Sequence, residues 1–170
     1  MYESAVLTEL AGKQAIRDLI YTYCRAVDRL DVPLGHSIWH EDSYADYGAD
    51  YYQGPGRGVI DTICKHHLAL LSHSHQVTNI LIELDGDHAG SEAYVTGTMR
   101  MKKDEQLLQL GVWARYLDRW ERRQGQWGLL RREVVFDHEE IREVTTTGRK
   151  PGFTRDNTDP SYRVLKKSLK

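Results

Sequence analysis

The chain is poor in the features that mark disulfide-rich, membrane-spanning or nucleic-acid-binding proteins. Its 170 residues include two cysteines, Cys24 and Cys64, so a disulfide framework is not expected and a reducing compartment fits. No apolar run approaches the ~18–20 residues that span a bilayer, and the amino terminus lacks a signal-peptide pattern. The net charge of −2 indicates no basic surface for nucleic acid. We therefore expect a soluble, cytoplasmic protein without membrane or nucleic-acid partners.

Phenylalanine is scarce as well, whereas tyrosine and tryptophan are plentiful. Two Phe residues stand against ten Tyr and four Trp. Tyr and Trp combine an apolar ring with a polar atom, so this balance indicates a cavity wall that can also form hydrogen bonds. A chain of this length is typical of one domain large enough to enclose such a cavity.

Hydrophobic periodicity predicts helices and then long strands. Helices are expected over residues 8–31, 33–39 and 59–71, the last with His67 on its apolar side. Strands are expected over residues 43–48, 74–84, 90–101, 107–121 and 127–138. Three helices followed by an antiparallel meander are typical of an α+β domain whose helices cover one face of a curved sheet.

The carboxyl-terminal segment differs in composition from the rest. Residues 145–162 are rich in Gly, Pro, Thr and Asp, which favours irregular structure. We therefore divide the chain into a domain over residues 1–144 and a tail over residues 145–170. The tail either lies across the pocket as a lid or hangs free.

His75, near the start of a predicted strand, is the strongest candidate for proton chemistry. Histidine is the side chain whose ordinary pKa lies nearest neutrality, so it can act as base and then as acid. Strand alternation places His75, Val77, Asn79 and Leu81 on one face. A His and an Asn on one face suit a polar pocket floor, because an apolar core would leave both without partners.

The first helix offers two residues that can complete the site. Tyr23 lies on its apolar stripe and Asp28 at the edge of that stripe, so packing on the sheet can direct both inward. Asp28 would then orient the imidazole of His75. The alternative is a surface carboxylate that pairs with Arg25, and Tyr23 is equally consistent with the core.

Arg132 lies among apolar neighbours on the last predicted strand. A guanidinium there requires an anionic partner, which can be a ligand or a carboxylate such as Glu133 or Asp137.

The eight histidines raise the question of a metal site. His73 and His75 have the spacing of two ligands on one strand face, and His66 and His67 are adjacent. A third ligand at matching spacing is missing, so neither a metal nor another cofactor is expected.

Three segments, in this order, carry a resemblance to a known family. They are Ile16-Arg17-Asp18-Leu19 leading to Ala26-Val27-Asp28, then His75 with Thr78-Asn79, then the run from Ala114 to Arg123 followed by Gly125 and Trp127. On these segments, over about residues 8–140, the chain resembles the SnoaL-like group of the nuclear transport factor 2-like superfamily. The group includes polyketide cyclases, scytalone dehydratase, hexachlorocyclohexane dehydrochlorinase and bile-acid dehydratase.

The resemblance implies a fold and a catalytic pair. Members have a cone-like α+β fold in which a curved antiparallel or mixed sheet, of about four to six strands, and three amino-terminal helices surround a largely apolar pocket. In lyase members a strand histidine paired with a helix aspartate abstracts a proton, and His75 and Asp28 match these positions. Several members are dimers or trimers, so a homodimer or homotrimer is expected.

The same resemblance suggests further site residues. Tyr23 matches a position that polarises substrate in related enzymes, Tyr47 resembles a pocket tyrosine of the dehydratases, and Arg132 aligns with an arginine of some dehydrochlorinases. We therefore predict Tyr23 as catalytic and Tyr47, Asn79 and Arg132 as substrate-binding. The predicted strand over residues 90–101 carries no counterpart of the second pocket histidine of scytalone dehydratase.

Two functions follow as hypotheses. The first is a cofactor-independent lyase or isomerase, of dehydratase or cyclase type, acting on a small hydrophobic cyclic molecule by His–Asp acid–base chemistry. The second is a non-catalytic ligand-binding or assembly subunit, like the small subunit of a ring-hydroxylating dioxygenase. An open cavity with an intact His–Asp contact favours the enzyme, whereas a cone filled with side chains favours the subunit.

Overall fold

A computed structural model describes residues 2–165, and within this range three helices precede the long strands as predicted, while a fourth, short helix follows them. The helices are α1 (Tyr2–Arg29), α2 (Val32–His36), α3 (Gly56–His67) and α4 (Ser161–Val164). The strands are β1 (Trp39–Asp46), β2 (Gln53–Pro55), β3 (Ser72–Asp85), β4 (His88–Lys103), β5 (Gln106–Arg123) and β6 (Gln126–Glu143). None of the described helices is long and apolar enough to cross a membrane.

The six strands form one curved, unclosed sheet in the order β2-β1-β6-β5-β4-β3. Strands β3, β4, β5 and β6 follow one another as antiparallel hairpins, while β1 pairs with β6 in parallel. The predicted α+β class and mixed, curved sheet are confirmed.

Helix α1 provides much of the core because its apolar stripe faces the sheet. Ile16, Ile20, Tyr23 and Val27 are almost fully buried, and α1 packs mainly on β3. Burial of each large aliphatic side chain contributes about 1.5–3 kcal/mol. Tyr23 and the neighbouring Asp28 are thereby fixed on the side of the helix that meets the sheet.

Helix α3 closes the other side of the core against β1, and its first residue has to be small. A Cβ atom at Gly56 would lie 2.1 Å from the Trp39 ring, closer than real Cβ atoms approach. The missing side chain lets α3 begin directly on β1. The carboxyl end of α3 then brings His67 to the start of β3.

A β-bulge in β3 overturns the predicted position of Asn79. The register against β4 shifts between Thr78 and Ile80, and Asn79 adopts a left-handed φ of 45°. Strand alternation therefore reverses after Thr78: Ile82 is buried, whereas Leu81 is 67% exposed. Asn79 is exposed and does not share the pocket floor with His75.

The tail is irregular up to the short helix α4 and packs against the helical side of the domain. The Tyr162 hydroxyl donates to Asp31 Oδ2 at 2.7 Å, and its ring lies under the Arg25 guanidinium. Arg155 Nη1 donates to the backbone oxygen of His67 at 2.7 Å. The described part of the tail is therefore docked, while residues 166–170 lie outside the described residues.

Candidate active site

A cavity of about 610 Å³ lies between helices α1 and α3 and strands β3 to β6. Most of its wall is apolar, with Ile63, Val95, Val112, Ala114 and Val134 in its lining. The polar lining residues are Tyr23, Asp50, Tyr47, Tyr51, His66, His67, His75, Tyr116 and Glu139. A largely apolar cavity with a few convergent polar groups is typical of a small-molecule site.

His75 and Asp28 meet at the cavity wall, as predicted. Asp28 Oδ1 lies 2.7 Å from Nδ1 of the His75 ring, and Asp28 Oδ2 accepts the backbone N–H of His75 at 3.0 Å. Both side chains are mostly buried, 14% exposed for Asp28 and 12% for His75. The second hydrogen bond fixes the carboxylate relative to the strand, so the imidazole is held in one orientation.

This contact also determines which His75 nitrogen is free. An ionised carboxylate only accepts hydrogen bonds, so Nδ1 carries the proton in the neutral ring and Nε2 carries the lone pair. A Cβ atom built on Gly97, itself in the cavity wall, would lie 3.6 Å from this Nε2. The glycine leaves the space beside Nε2 open, and the lone pair on Nε2 of the neutral ring can act as a general base.

Tyr23 and Tyr47, which sequence reasoning placed in the site, share a hydrogen bond in the cavity wall. Their hydroxyl oxygens are 2.6 Å apart and both side chains are buried. Burial and the neighbouring Tyr47 raise the pKa of Tyr23 well above its ordinary value. Burial also raises the pKa of Tyr47, although the Arg132 charge opposes this rise. The pair therefore stays protonated and can donate a hydrogen bond to an oxygen in the cavity.

Arg132 lies behind the cavity wall rather than in its lining, which corrects its predicted substrate-binding position. Its Nε and Nη2 donate to the two carboxylate oxygens of Asp118 on β5 at 2.7 and 2.8 Å. The guanidinium carbon is 4.2 Å from the Tyr23 ring centre and 3.9 Å from that of Tyr116. The anionic partner is thus Asp118, directly opposite in the sheet, and neither Glu133 nor Asp137. Arg132 therefore packs its guanidinium on the Tyr23 ring without lining the cavity itself.

Three histidine rings lie together at this end of the cavity. The His67 ring centre is 4.3 Å from that of His73 and 5.9 Å from that of His75. His73 Nε2 donates to the backbone oxygen of Val27 at 3.0 Å, which ties β3 to α1. Within residues 2–165 no group of three or more His, Cys, Asp or Glu side chains has the geometry to hold a metal ion.

The structure places four of the six predicted site residues at the cavity and two outside its lining. His75, Asp28, Tyr23 and Tyr47 meet at or beside the cavity, whereas Asn79 and Arg132 do not line it. Sequence reasoning assigned no role to the lining residues His66, His67, Tyr51, Tyr116, Asp50 and Glu139. The signal for His67 was present: a histidine on the apolar side of a predicted helix.

A curved, unclosed sheet with helices around a cavity is the architecture of the nuclear transport factor 2-like fold. The family model for the SnoaL-like domain matches residues 8–133, and the chain belongs to this family. The predicted resemblance is confirmed.

Similar solved structures show the same fold. A candidate scytalone dehydratase from Novosphingobium aromaticivorans is 21% identical, covers 86% of this chain and 99% of its own, and superposes with a TM-score of 0.68. A type-3 hexachlorocyclohexane dehydrochlorinase from Novosphingobium barchaimii is 21% identical over 85% of this chain and 98% of its own, with a TM-score of 0.67. A candidate aromatic ring hydroxylase from Novosphingobium aromaticivorans is 25% identical over 79% and 94%, with a TM-score of 0.65. No curated protein sequence matches the chain.

Proposed function

We propose that the protein is a cofactor-independent lyase or isomerase that acts on a small, hydrophobic, cyclic molecule. The observation that carries this proposal is the His75–Asp28 pair, whose imidazole lines an open apolar cavity. Membership of the SnoaL-like family, whose fold is shared by a candidate scytalone dehydratase and a dehydrochlorinase, supports the same class of reaction.

The roles of the residues follow from the atoms they present. His75 Nε2 takes a proton from a carbon next to a carbonyl or leaving group, and Asp28 stabilises the imidazolium that forms. The electron pair of the broken C–H bond moves toward the carbonyl oxygen or expels the leaving group. One hydroxyl of the Tyr23–Tyr47 pair donates to the other, and the second donates a hydrogen bond to the oxygen that gains charge. The proton then returns from Nε2 to another carbon, in isomerisation, or to the departing hydroxyl, in dehydration.

The alternative of a non-catalytic ligand-binding or assembly subunit receives less support. An assembly subunit gains nothing from a cavity of about 610 Å³, and neither kind of subunit requires a carboxylate held against an imidazole at the cavity wall. The homodimer or homotrimer expected from the resemblance stays a prediction.

Proton abstraction can be measured without knowing the natural substrate. In deuterated buffer, the protein should catalyse hydrogen–deuterium exchange beside the carbonyl of α-tetralone, β-tetralone or cyclohexenone, followed by NMR. His75→Ala should reduce the exchange rate by at least about 100-fold, whereas His88→Ala, in an exposed hairpin, should not. Exchange no faster than in buffer for all three ketones, or undiminished exchange by His75→Ala, would contradict the proposal.

A second variant tests the assignment of Nε2 without removing the pair. Gly97→Val places its side chain beside His75 Nε2, since a Cβ there lies in ordinary contact at 3.6 Å. The variant should fold but lose exchange. Retained exchange would show that the proton is taken at another atom.

A further inference from the structure

His67 is a second imidazole at the cavity, and the mechanism above does not use it. It ends helix α3, is only 7% exposed, and belongs to the cavity lining. Its ring lies beside that of His75 at 5.9 Å, with an angle of only 18° between the two planes. The carboxyl-terminal tail holds its backbone in place, because the backbone oxygen of His67 accepts a hydrogen bond from Arg155 Nη1.

The surroundings of the two His67 nitrogens differ. Nδ1 is fully buried and has no hydrogen-bond partner among the described residues, whereas Nε2 is not among the buried polar atoms that lack a partner. Buried N–H groups without an acceptor are rarer in proteins than buried acceptors without a donor, so the proton is better placed on Nε2. The side chain lines the cavity, so an oxygen of a bound molecule there can be the acceptor for this N–H.

His67 also stays uncharged over the physiological range. Burial, with the neighbouring His73, His75 and His66, lowers its pKa to about 3. A neutral imidazole with so low a pKa is a weak base but a competent hydrogen-bond donor. Its chemistry therefore differs from that of His75, which has the carboxylate partner that His67 lacks.

We propose that His67 donates a hydrogen bond from Nε2 to a carbonyl or hydroxyl oxygen of the bound molecule, next to the carbon on which His75 acts. The cavity would thus select neutral ring compounds that carry an oxygen acceptor over their hydrocarbon analogues. That the oxygen lies next to the carbon on which His75 acts rests on the proposed function. The donor role of His67 itself is tested by binding alone.

The first test compares α-tetralone with tetralin, the same ring system without the oxygen. Nitrogen NMR of the imidazoles should show His67 as the Nε2–H tautomer, and α-tetralone should shift its Nε2 signal whereas tetralin should not. Three results would each overturn the proposal. These are a proton on Nδ1, binding of α-tetralone that leaves His67 unchanged, and no preference of the wild type for α-tetralone over tetralin.

The second test uses variants that separate the donor from the space it occupies. His67→Leu should remove the preference for α-tetralone, about a 3- to 10-fold change in relative Kd for one hydrogen bond. His67→Gln, which keeps an N–H at similar reach, should retain most of it, and His88→Gln should match the wild type. Equal preference in His67→Leu and wild type would refute the donor role, whatever the result of the exchange experiment. If His67→Leu does not fold, the tautomer and His67→Gln still decide.

Discussion

Asp28 and His75 lie 47 positions apart in the chain, yet they share two hydrogen bonds, one to the ring and one to the backbone. The pair joins helix α1 to strand β3 at the cavity wall. The carboxylate therefore has two separable effects: it selects the ring tautomer and it anchors the helix to the strand.

Asp28→Asn should impair proton abstraction more than it impairs folding. The amide has one acceptor oxygen and no charge, so it cannot hold both the ring and the backbone or stabilise an imidazolium. We expect ketone exchange to fall by about 100-fold or more, and nitrogen NMR to show a mixture of His75 tautomers. Asp18→Asn on the exposed side of α1 is the matched control and should change neither. A single Nδ1–H tautomer in Asp28→Asn would refute the orienting role.

The two tyrosine hydroxyls should act as one unit. Tyr23→Phe leaves Tyr47 without its partner and the reverse holds as well, so each single change should cost about 1 kcal/mol of stability. The double variant should cost less than the sum of the single ones, because no unpaired hydroxyl remains. Urea unfolding of the four proteins measures this coupling. Strict additivity would mean that the 2.6 Å contact contributes nothing to stability.

The Arg132–Asp118 ion pair should be costly to break and less costly to replace. Both side chains are 0% exposed, so Asp118→Asn or Arg132→Met alone leaves a buried charge with a poor partner and should cost about 3–5 kcal/mol. Replacing both by apolar residues should recover much of that loss. Breaking the exposed pair of Arg123 and Asp42 is the control and should shift the unfolding midpoint far less. A double variant as unstable as the worse single one would contradict this.

Protonation of His67 should make the fold less stable in acid. Its pKa is about 3 in the folded chain but about 6.5 in an ordinary histidine, so the unfolded chain binds the proton first. The free energy of unfolding is therefore unaffected by His67 above about pH 6.5. It falls progressively between pH 6.5 and 3, by at most about 1.4 kcal/mol per pH unit. His67→Gln should therefore show a shallower loss of unfolding free energy across this window. Equal slopes would mean that His67 titrates normally in the folded protein.

Local periodicity predicted where His75 and Asp28 lie on their elements, and the resemblance to the SnoaL-like group implied that they pair. Asp28 follows from the apolar stripe of α1, and His75 lies at the start of β3, before any irregularity in that strand. Asn79 was misplaced because one bulge reverses the alternation, and a bulge depends on how two strands pair. Local sequence does not contain that information.

The cross-strand partner of Arg132 could not be predicted from local sequence for the same reason. Asp118 faces Arg132 only in the register that β5 and β6 adopt, and that pair of strands carries two register shifts of its own. The position of His67 on its helix was predictable. Its approach to His75 was not, because it depends on where α3 ends relative to β3.

The reactivity of the two free thiols, Cys24 and Cys64, can measure how often the site opens in solution. Burial raises the pKa of Cys24 to about 12 and that of Cys64 to about 11, so neither is reactive in the closed fold. Cys24 lies one turn before Asp28 on α1, and Cys64 lies three residues before His67 on α3. Their rates of alkylation would therefore report separately how often the helix that holds the carboxylate and the helix that holds the second imidazole detach from the sheet.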